Sequence, residues 1–200
     1  MRTLVPFDAT DPKTRLEPLL SADERRAFAR VLLGDVLDAV RAAGGDPVVV
    51  ANADVDVDAR VAVDDRALSD AVNARLNAGT AVVMADLALA TPRGLGALFD
   101  ASGDVVLVPG VGGGTNALVA RDDAFRVDYH GASYRDHLRV AREAGLSVRE
   151  FEHGRLTLDV DEPADVADVL VRGEGDAPRW LREAGVRLDP SGGRTGVSRD

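Results

Sequence analysis

Short apolar runs alternate along this chain with segments that have a helical pattern. The runs at residues 47–51, 80–85 and 104–109 are almost continuously apolar, which is typical of strands buried on both faces of a parallel sheet. A helical segment separates each run from the next. This order predicts an α/β fold with a mainly parallel, mixed sheet flanked by helices.

Capping residues mark where the predicted helices begin. Ser21 and Glu24 have the spacing of a capping box, and the apolar stripe that follows ends before Gly44 and Gly45. Asp65 is predicted to cap a second helix that runs up to residue 79. Further helices are predicted at residues 93–101, 133–144 and 162–171. Strands are predicted at residues 2–7, 47–51, 60–63, 80–85, 104–109, 115–120, 125–129, 146–152 and 155–160.

The length of 200 residues and the hydrophobic content of 46% suit a single core domain, predicted to span residues 1–172. Residues 173–200 are predicted to form an appendage with one short helix and a hairpin that turns through residues 190–193. Trp180, Leu181 and Val186 in this segment are apolar and could cover a sheet edge in the same subunit or in a partner. The sequence therefore leaves open whether the protein forms a homodimer.

Acidic residues dominate the composition. There are 34 acidic and 24 basic residues, the net charge is -10, and 26 of the acids are Asp. This charge argues against binding of DNA or RNA and is typical of a halophile's surface. The chain has no cysteine and no apolar run approaching the roughly 20 residues of a membrane span, and we expect no signal peptide. We therefore expect a soluble, cytoplasmic protein without disulfides.

Lys13 is the only lysine, because the other 23 basic residues are arginines. It lies just after the first predicted strand, and Arg15 follows two residues later. An ammonium group beside a guanidinium group neutralises phosphate oxygens both as a point charge and bidentately. The pair therefore indicates a phosphate-binding site, although an arginine-rich composition alone also explains a single remaining lysine.

Three aspartates form a candidate metal site. Asp86 follows the predicted strand at residues 80–85, and open α/β sheets bind ligands at the carboxyl ends of their strands. Asp159 and Asp161 flank Val160, so on an extended chain their side chains point to the same side. Three such carboxylates suit Mg²⁺, which binds carboxylates together with waters and substrate phosphates. The alternative is that Asp159 and Asp161 cap the helix predicted at residue 162.

A glycine-rich run, PGVGGGTN, occupies residues 109–116. It lacks the ending of a P-loop, and no helical pattern follows it as in a dinucleotide-binding turn. Its N–H groups, with Thr115 and Asn116, suit an anion, but a plain tight loop explains it equally well. Ser133 begins a predicted helix, where its hydroxyl suits either a second phosphate or helix capping.

The three histidines do not share a metal-binding spacing. His130, His137 and His153 are predicted to be surface or packing residues, with His130 close enough to Ser133 to approach a ligand. A Ser/His/Asp hydrolase is not indicated, because the chain has no Gly-x-Ser-x-Gly turn.

Several motifs, taken in order and spacing, resemble the 2-phospho-L-lactate guanylyltransferases of coenzyme F420 biosynthesis. They lie at residue 6 with residues 13–16 (KTRL) and the helix at 21–40, and at residues 84–87 (MADL), 113–118 (GGTNAL), 129–133 (YHGAS) and 158–163 (LDVDEP). The agreement covers about residues 1–172. The resemblance implies a Rossmann-like nucleotidyltransferase fold related to the molybdenum-cofactor guanylyltransferases and the nucleotide-sugar pyrophosphorylases.

The same resemblance implies that GTP and 2-phospho-L-lactate are joined to give lactyl-diphospho-guanosine and pyrophosphate. The residues implied to act are Asp86, Asp159 and Asp161 for magnesium, Lys13 and Arg15 for GTP, and Thr115 and Ser133 for the acceptor's phosphate. Asn73 and Asn77, on the helix after Asp65, are candidate contacts to the base or ribose of GTP.

Two departures from the family pattern leave alternatives open. Ala88 stands where relatives often have proline, and residues 130–133 (HGAS) stand where they often have Gly-Pro-Gly-Ser. The second departure leaves phosphoenolpyruvate and 3-phosphoglycerate open as acceptors. A nucleotidyltransferase acting on molybdopterin or a nucleotide sugar is less favoured, because residues 8–15 lack the Gly-x-Gly-x-Arg signature. A non-catalytic GTP-binding module is the remaining alternative.

Overall fold

The computed structural model describes residues 1–191 and 195–199. The strands in this part of the chain are β1 (Arg2–Phe7), β2 (Asp46–Ala51), β3 (Arg60–Val63), β4 (Thr80–Val83), β5 (Val105–Pro109), β6 (Thr115–Ala120), β7 (Val148–Glu150), β8 (Val186–Asp189) and β9 (Gly196–Arg199). The α-helices are α1 (Ala22–Ala42), α2 (Leu68–Asn73), α3 (Pro92–Asp100), α4 (Ser133–Glu143), α5 (Pro163–Arg172) and α6 (Ala177–Glu183).

Seven strands form one mixed sheet in the order β3-β2-β1-β4-β6-β5-β7. β6 is antiparallel to both of its neighbours, β4 and β5, and all other neighbouring strands are parallel. The predicted mainly parallel, mixed sheet is confirmed. Because β1 to β4 are parallel, their carboxyl ends share one edge of the sheet, and β6 begins at that same edge.

The capping box predicted for α1 is present. The Ser21 hydroxyl accepts from the Glu24 N–H, and the Glu24 carboxylate accepts from the Ser21 N–H at 2.9 Å. The stripe side chains Phe28, Leu32 and Val36 are fully buried. This 21-residue helix therefore forms where capping and a 3.6-residue apolar period agree.

Helices pack on both faces of the sheet and form two cores with it, and a third core lies where α1, α5 and α6 meet. In the third core Phe28 stacks on Trp180 with ring centroids 5.2 Å apart, and Leu181 and Val186 are fully buried. β8 pairs with β9 in antiparallel fashion. The predicted turn between them includes Gly192 and Gly193, which lie outside the described residues. The boundary at residue 172 stays a prediction.

The strand predicted at residues 125–129 is wrong. This segment is irregular, and its backbone bonds to a side chain instead of a strand, since Asn73 donates to the Val127 carbonyl at 2.9 Å and accepts from the Val127 N–H at 2.8 Å. Phe125 and Val127 are nevertheless buried. Their alternating apolar pattern reflects burial of single side chains in a loop.

Two further predictions of local structure are wrong. Residues 155–160 form no strand, because a turn at residues 154–156 closes with a 2.7 Å bond from the Leu156 N–H to the His153 carbonyl. Leu156 and Val160 are fully buried and supply the apolar signal. Asp65 caps no helix, since α2 begins at Leu68 after Ala67 and has no side-chain cap.

Candidate active site

A cleft of about 380 Å³ opens at the carboxyl edge of the sheet. Three polar side chains in its wall directly follow parallel strands: Asp8 follows β1, Asn52 follows β2 and Asp64 follows β3. Lys13 and Asp86 line it as well. Sequence reasoning missed the first three, although a polar residue directly after a buried strand is the same signal that singled out Asp86.

Hydrogen bonds fix the polar wall of the cleft. Asn52 Nδ2 donates to Asp8 Oδ1 at 2.7 Å, which joins the loops after β1 and β2. The Asp64 carboxylate accepts from Arg66 Nε at 2.8 Å and also pairs with Arg75. These guanidinium groups hold the pKa of Asp64 well below its usual range. The ionised Asp64 in this wall is therefore already paired with Arg66 and Arg75.

Lys13 has a backbone conformation that is rare for its residue type. Its φ of 57° and ψ of 39° lie in the left-handed region, and no other non-glycine residue in the described part of the chain has a positive φ. It directly precedes a 3-10 helix, Thr14–Leu16, whose Leu16 is fully buried. Such conformations persist where the surroundings fix them, and they concentrate at functional sites.

The Lys13 ammonium group lies between two carboxylates. Its Nζ contacts Asp86 Oδ2 and is 2.9 Å from Asp161 Oδ1. Burial opposes the charge, but the two carboxylates outweigh burial and raise the pKa of Lys13. Arg15 approaches more loosely, because its Nη1 is 3.5 Å from Asp161 Oδ2 and its side chain is exposed. The structure thus places four of the candidate residues together.

Asp159 lies in the same region. Burial, followed by the negative charge of Asp86, raises the pKa of Asp159. The Val160 N–H donates to the Asp86 carbonyl at 3.2 Å, so the two segments are joined through the backbone. The structure therefore places the segment that carries Asp159 and Asp161 beside Asp86, although this segment is an irregular loop and not a strand.

The carboxylates meet part of what a divalent cation requires. Asp86 Oδ1 is buried and has no hydrogen-bond partner among the described residues, and such an orphaned acceptor suits a cation. No three His, Asp or Glu side chains within residues 1–191 and 195–199 already surround a common metal position. The ammonium group of Lys13 forms ion pairs with both Asp86 and Asp161 and so bridges the two carboxylates.

Asp161 was also a candidate for capping helix α5, but the side chain of Asp165 fills that role. The N–H groups of Asp161 and Glu162 both donate to Asp165 Oδ2, at 2.9 and 2.7 Å. α5 then begins at Pro163. The Asp161 carboxylate instead forms ion pairs with Lys13 and Arg15.

The glycine-rich run forms the tight connection between β5 and β6. The Gly110 N–H donates to the Gly114 carbonyl, and the Gly113 N–H donates to the Gly110 carbonyl, both at 2.9 Å. Gly113 has a φ of 85°, which a residue with a side chain rarely adopts. The N–H groups of Gly110 and Gly113 form hydrogen bonds within the loop, so they do not point towards an anion. For these two residues the interpretation as a plain tight loop applies.

Thr115 and Ser133, the candidate acceptor contacts, bond to each other. The Thr115 N–H donates to Ser133 Oγ at 3.1 Å, and Thr115 Oγ1 lies 2.8 Å from His137 Nδ1. Ser133 does not cap α4, whose cap position is Ala132. Both residues are buried beside the glycine loop and do not line the cleft. Their placement at the carboxyl edge agrees with a ligand role but does not test it.

The structure places the other candidates away from the cleft. Asn73 uses its amide on Val127, and Asn77 accepts from the Thr80 hydroxyl at 2.7 Å. Neither side chain lines the cleft. His137 is a packing residue, fully buried against Phe125 and Tyr129, and this burial lowers its pKa to about 4. His130 is exposed and pairs with Asp128.

A family model described as "Guanylyl transferase CofC like" matches residues 1–199. The chain belongs to this family. Relatives named 2-phospho-L-lactate guanylyltransferase, from Halomicrobium mukohataei, Haloferax volcanii and Natronomonas pharaonis, are 62%, 58% and 54% identical to it. The matches cover 100% of this chain and 99% or 100% of each relative.

This CofC-like chain is also similar to solved structures. A putative nucleotide-diphospho-sugar transferase from Desulfovibrio desulfuricans aligns with a TM-score of 0.68 and 17% identity, over 91% of this chain and 94% of that one. A nucleotidyl transferase from Methanothermobacter thermautotroptrophicus gives 0.59 and 16%, over 92% and 99%. At these identities the likeness shows a nucleotidyltransferase fold. None of the helices within residues 1–191 and 195–199 has the length and hydropathy of a membrane-spanning segment.

Proposed function

We propose that this CofC-like enzyme transfers the guanylyl group of GTP to 2-phospho-L-lactate and releases pyrophosphate. Membership of the family and the names of its relatives support the reaction. The structural observation that carries the proposal is the cluster in which Lys13 meets Asp86 and Asp161 beside the cleft. A protonated lysine and adjoining carboxylates at the carboxyl edge of an α/β sheet suit phosphoryl chemistry.

The reaction joins two polyanions, so charge repulsion is its main obstacle. A phosphate oxygen of 2-phospho-L-lactate attacks the α-phosphorus of GTP and forms a new phosphorus–oxygen bond. The bond between the α-phosphorus and the oxygen that bridges to the β-phosphorus breaks, and pyrophosphate leaves with that oxygen. The attacking oxygen is already ionised, so the site needs positive charge and correct placement rather than a general base.

Each cluster residue has a place in this reaction. The ammonium of Lys13 and the guanidinium of Arg15 bind the triphosphate and stabilise the charge that develops on pyrophosphate. The cleft beside Lys13 suits the nucleoside, since its volume of about 380 Å³ lies within the range of small-molecule sites. Thr115 and Ser133 at the start of β6 and α4 bind the acceptor's phosphate.

Asp86, Asp159 and Asp161 are proposed to hold Mg²⁺. The orphaned Asp86 Oδ1 fits this role, because it is a buried acceptor without a hydrogen-bond partner among the described residues. Burial and the negative charge of Asp86 raise the pKa of Asp159, and a bound cation would offset both effects. A bound magnesium ion would neutralise phosphate charge and polarise the α-phosphate. Lys13 contacts two of the same carboxylates, so its ammonium must share them or turn towards the triphosphate.

Pyrophosphate release tests the proposal. The enzyme is assayed in molar KCl with Mg²⁺ and GTP, and 2-phospho-L-lactate, phosphoenolpyruvate or 3-phosphoglycerate is added in turn, with ATP replacing GTP as the control. We expect the fastest release with GTP and 2-phospho-L-lactate. Faster release with another acceptor would overturn the assignment of 2-phospho-L-lactate as the substrate, and GTP binding without release would favour a non-catalytic module.

The cytoplasmic location and the formation of a homodimer stay predictions.

A further inference from the structure

Asn116 is a buried polar residue that the reaction described above does not use. It lies at the start of β6, where Pro109 pairs with Thr115 but Val108 already pairs with Ala117. This register shift is a bulge, and bulges re-aim side chains. Thr115 faces His137 on α4, whereas the adjacent Asn116 faces the loop that carries Asp159, as side chains alternate along an extended chain.

The contacts of Asn116 join both segments that carry the candidate metal ligands. Its Nδ2 donates to the Leu156 carbonyl at 3.1 Å and to Asp159 Oδ1 at 3.3 Å. Its backbone carbonyl accepts from the Met84 N–H at 2.9 Å, two residues before Asp86. The residue is only 3% exposed. One residue thus bonds to the chain on each side of the carboxylate cluster.

Gly110 fixes the other side of the Asn116 amide. A Cβ atom at residue 110 would lie 2.3 Å from Asn116 Oδ1 and 3.0 Å from its Cγ, closer than side chains can approach. A Cβ at Gly112, two residues further along the loop, would have nothing within 4 Å. Neither glycine has a positive φ. Gly110→Ala therefore acts through the Asn116 amide, and Gly112→Ala is its matched control.

We propose that Asn116 is a positioning residue that holds Asp159 beside Asp86, and that Gly110 is required because a side chain there displaces the Asn116 amide. This inference rests on the proposed function, since it concerns how the proposed magnesium ligands are arranged. Residues that orient a metal ligand through a hydrogen bond typically change metal affinity about 10–100-fold when they are replaced.

The test measures Mn²⁺ binding by electron paramagnetic resonance with the full chain in molar KCl. A GTP analogue with a methylene group between the α- and β-phosphorus atoms prevents turnover. We expect Mn²⁺ to bind about 10-fold or more weakly to Asn116→Ala and to Gly110→Ala. Gly112→Ala should bind Mn²⁺ like the wild type, and the melting midpoints show whether each variant is folded. Asn116→Ser replaces Asn116→Ala if the latter does not fold.

Wild-type Mn²⁺ affinity in folded Asn116 and Gly110 variants would overturn the inference. An equal loss in Gly112→Ala would also overturn it, because the effect would then belong to the loop as a whole. If the wild type binds no Mn²⁺ with the analogue, the magnesium assignment fails together with this inference. Pyrophosphate release by the wild type reports separately on the proposed function.

Discussion

At the scale of single residues, Asp86 is the carboxylate on which the site depends most. It contacts the only lysine and keeps one buried oxygen without a partner among the described residues. We predict that Asp86→Asn lowers turnover at least about a hundredfold, the scale of losing one electrostatic stabiliser of a transition state. Asp58→Asn, at a fully exposed carboxylate, is the control in the pyrophosphate assay. A near-normal rate for Asp86→Asn would refute its role.

His137 makes the free energy of unfolding depend on pH. Burial lowers its folded-state pKa to about 4 from an ordinary value of 6.5, and this outweighs the nearby carboxylates of Asp128 and Asp136. Between these two values the unfolded chain binds a proton that the folded chain does not. Stability therefore falls as the pH drops through this window, by up to about 3 kcal/mol.

The variant His137→Asn tests this contribution, because it cannot titrate but keeps a polar group for Thr115. Denaturant unfolding at constant salt, from about pH 7 down to about pH 4, should give a shallower loss of stability in the variant than in the wild type. Equal slopes for His137→Asn and wild type would contradict the lowered pKa.

At the scale of elements, helix α6 and the start of strand β8 contribute side chains to the third core. Leu181 on α6 is fully buried in the third core, whereas Leu188 on the neighbouring β8 is 41% exposed. We predict that Leu181→Ala lowers the free energy of unfolding by about 2–5 kcal/mol, because it leaves a cavity. Leu188→Ala should cost much less, which denaturant unfolding can measure. A negligible effect of Leu181→Ala would show that the segment is a dispensable appendage.

The sequence predicted those elements whose local signals agree with their burial. β1, β3 and β6 have the predicted bounds, and α1 has the predicted cap. The strands predicted at residues 125–129 and 155–160 are wrong because these segments are loops. Single apolar side chains of the loops, such as Phe125 and Leu156, are buried in the core. A period of two cannot distinguish such a loop from a strand when tertiary contacts supply the burial.

The candidate site was only partly predictable for the same reason. Lys13 and Asp86 stand out by composition and by position after a strand, and Asp8 could have been found by the latter signal. The bond from Asn116 to Asp159 could not, because it joins residues 43 positions apart in the chain that no local pattern brings together. Pairings set by tertiary register are not encoded in any single segment.

At the scale of the whole molecule, the surface charge predicts stability that depends on salt. A net charge of -10 on 200 residues repels itself in the folded state, and salt screens charges separated by more than roughly 10 Å at 0.1 M. We predict that the melting midpoint rises from dilute buffer to molar KCl. Differential scanning calorimetry measures this change, and an unchanged midpoint would contradict the halophilic interpretation.

The most direct measurement of the central claim is phosphorus NMR of the reaction in molar KCl with Mg²⁺, GTP and 2-phospho-L-lactate. The account predicts that the new diphosphate of lactyl-diphospho-guanosine and free pyrophosphate appear in equal amounts, and that neither appears with Asp86→Asn over the same time. Pyrophosphate formed without the diphosphate product, or an unchanged GTP spectrum in the wild type, would contradict guanylyl transfer to this acceptor.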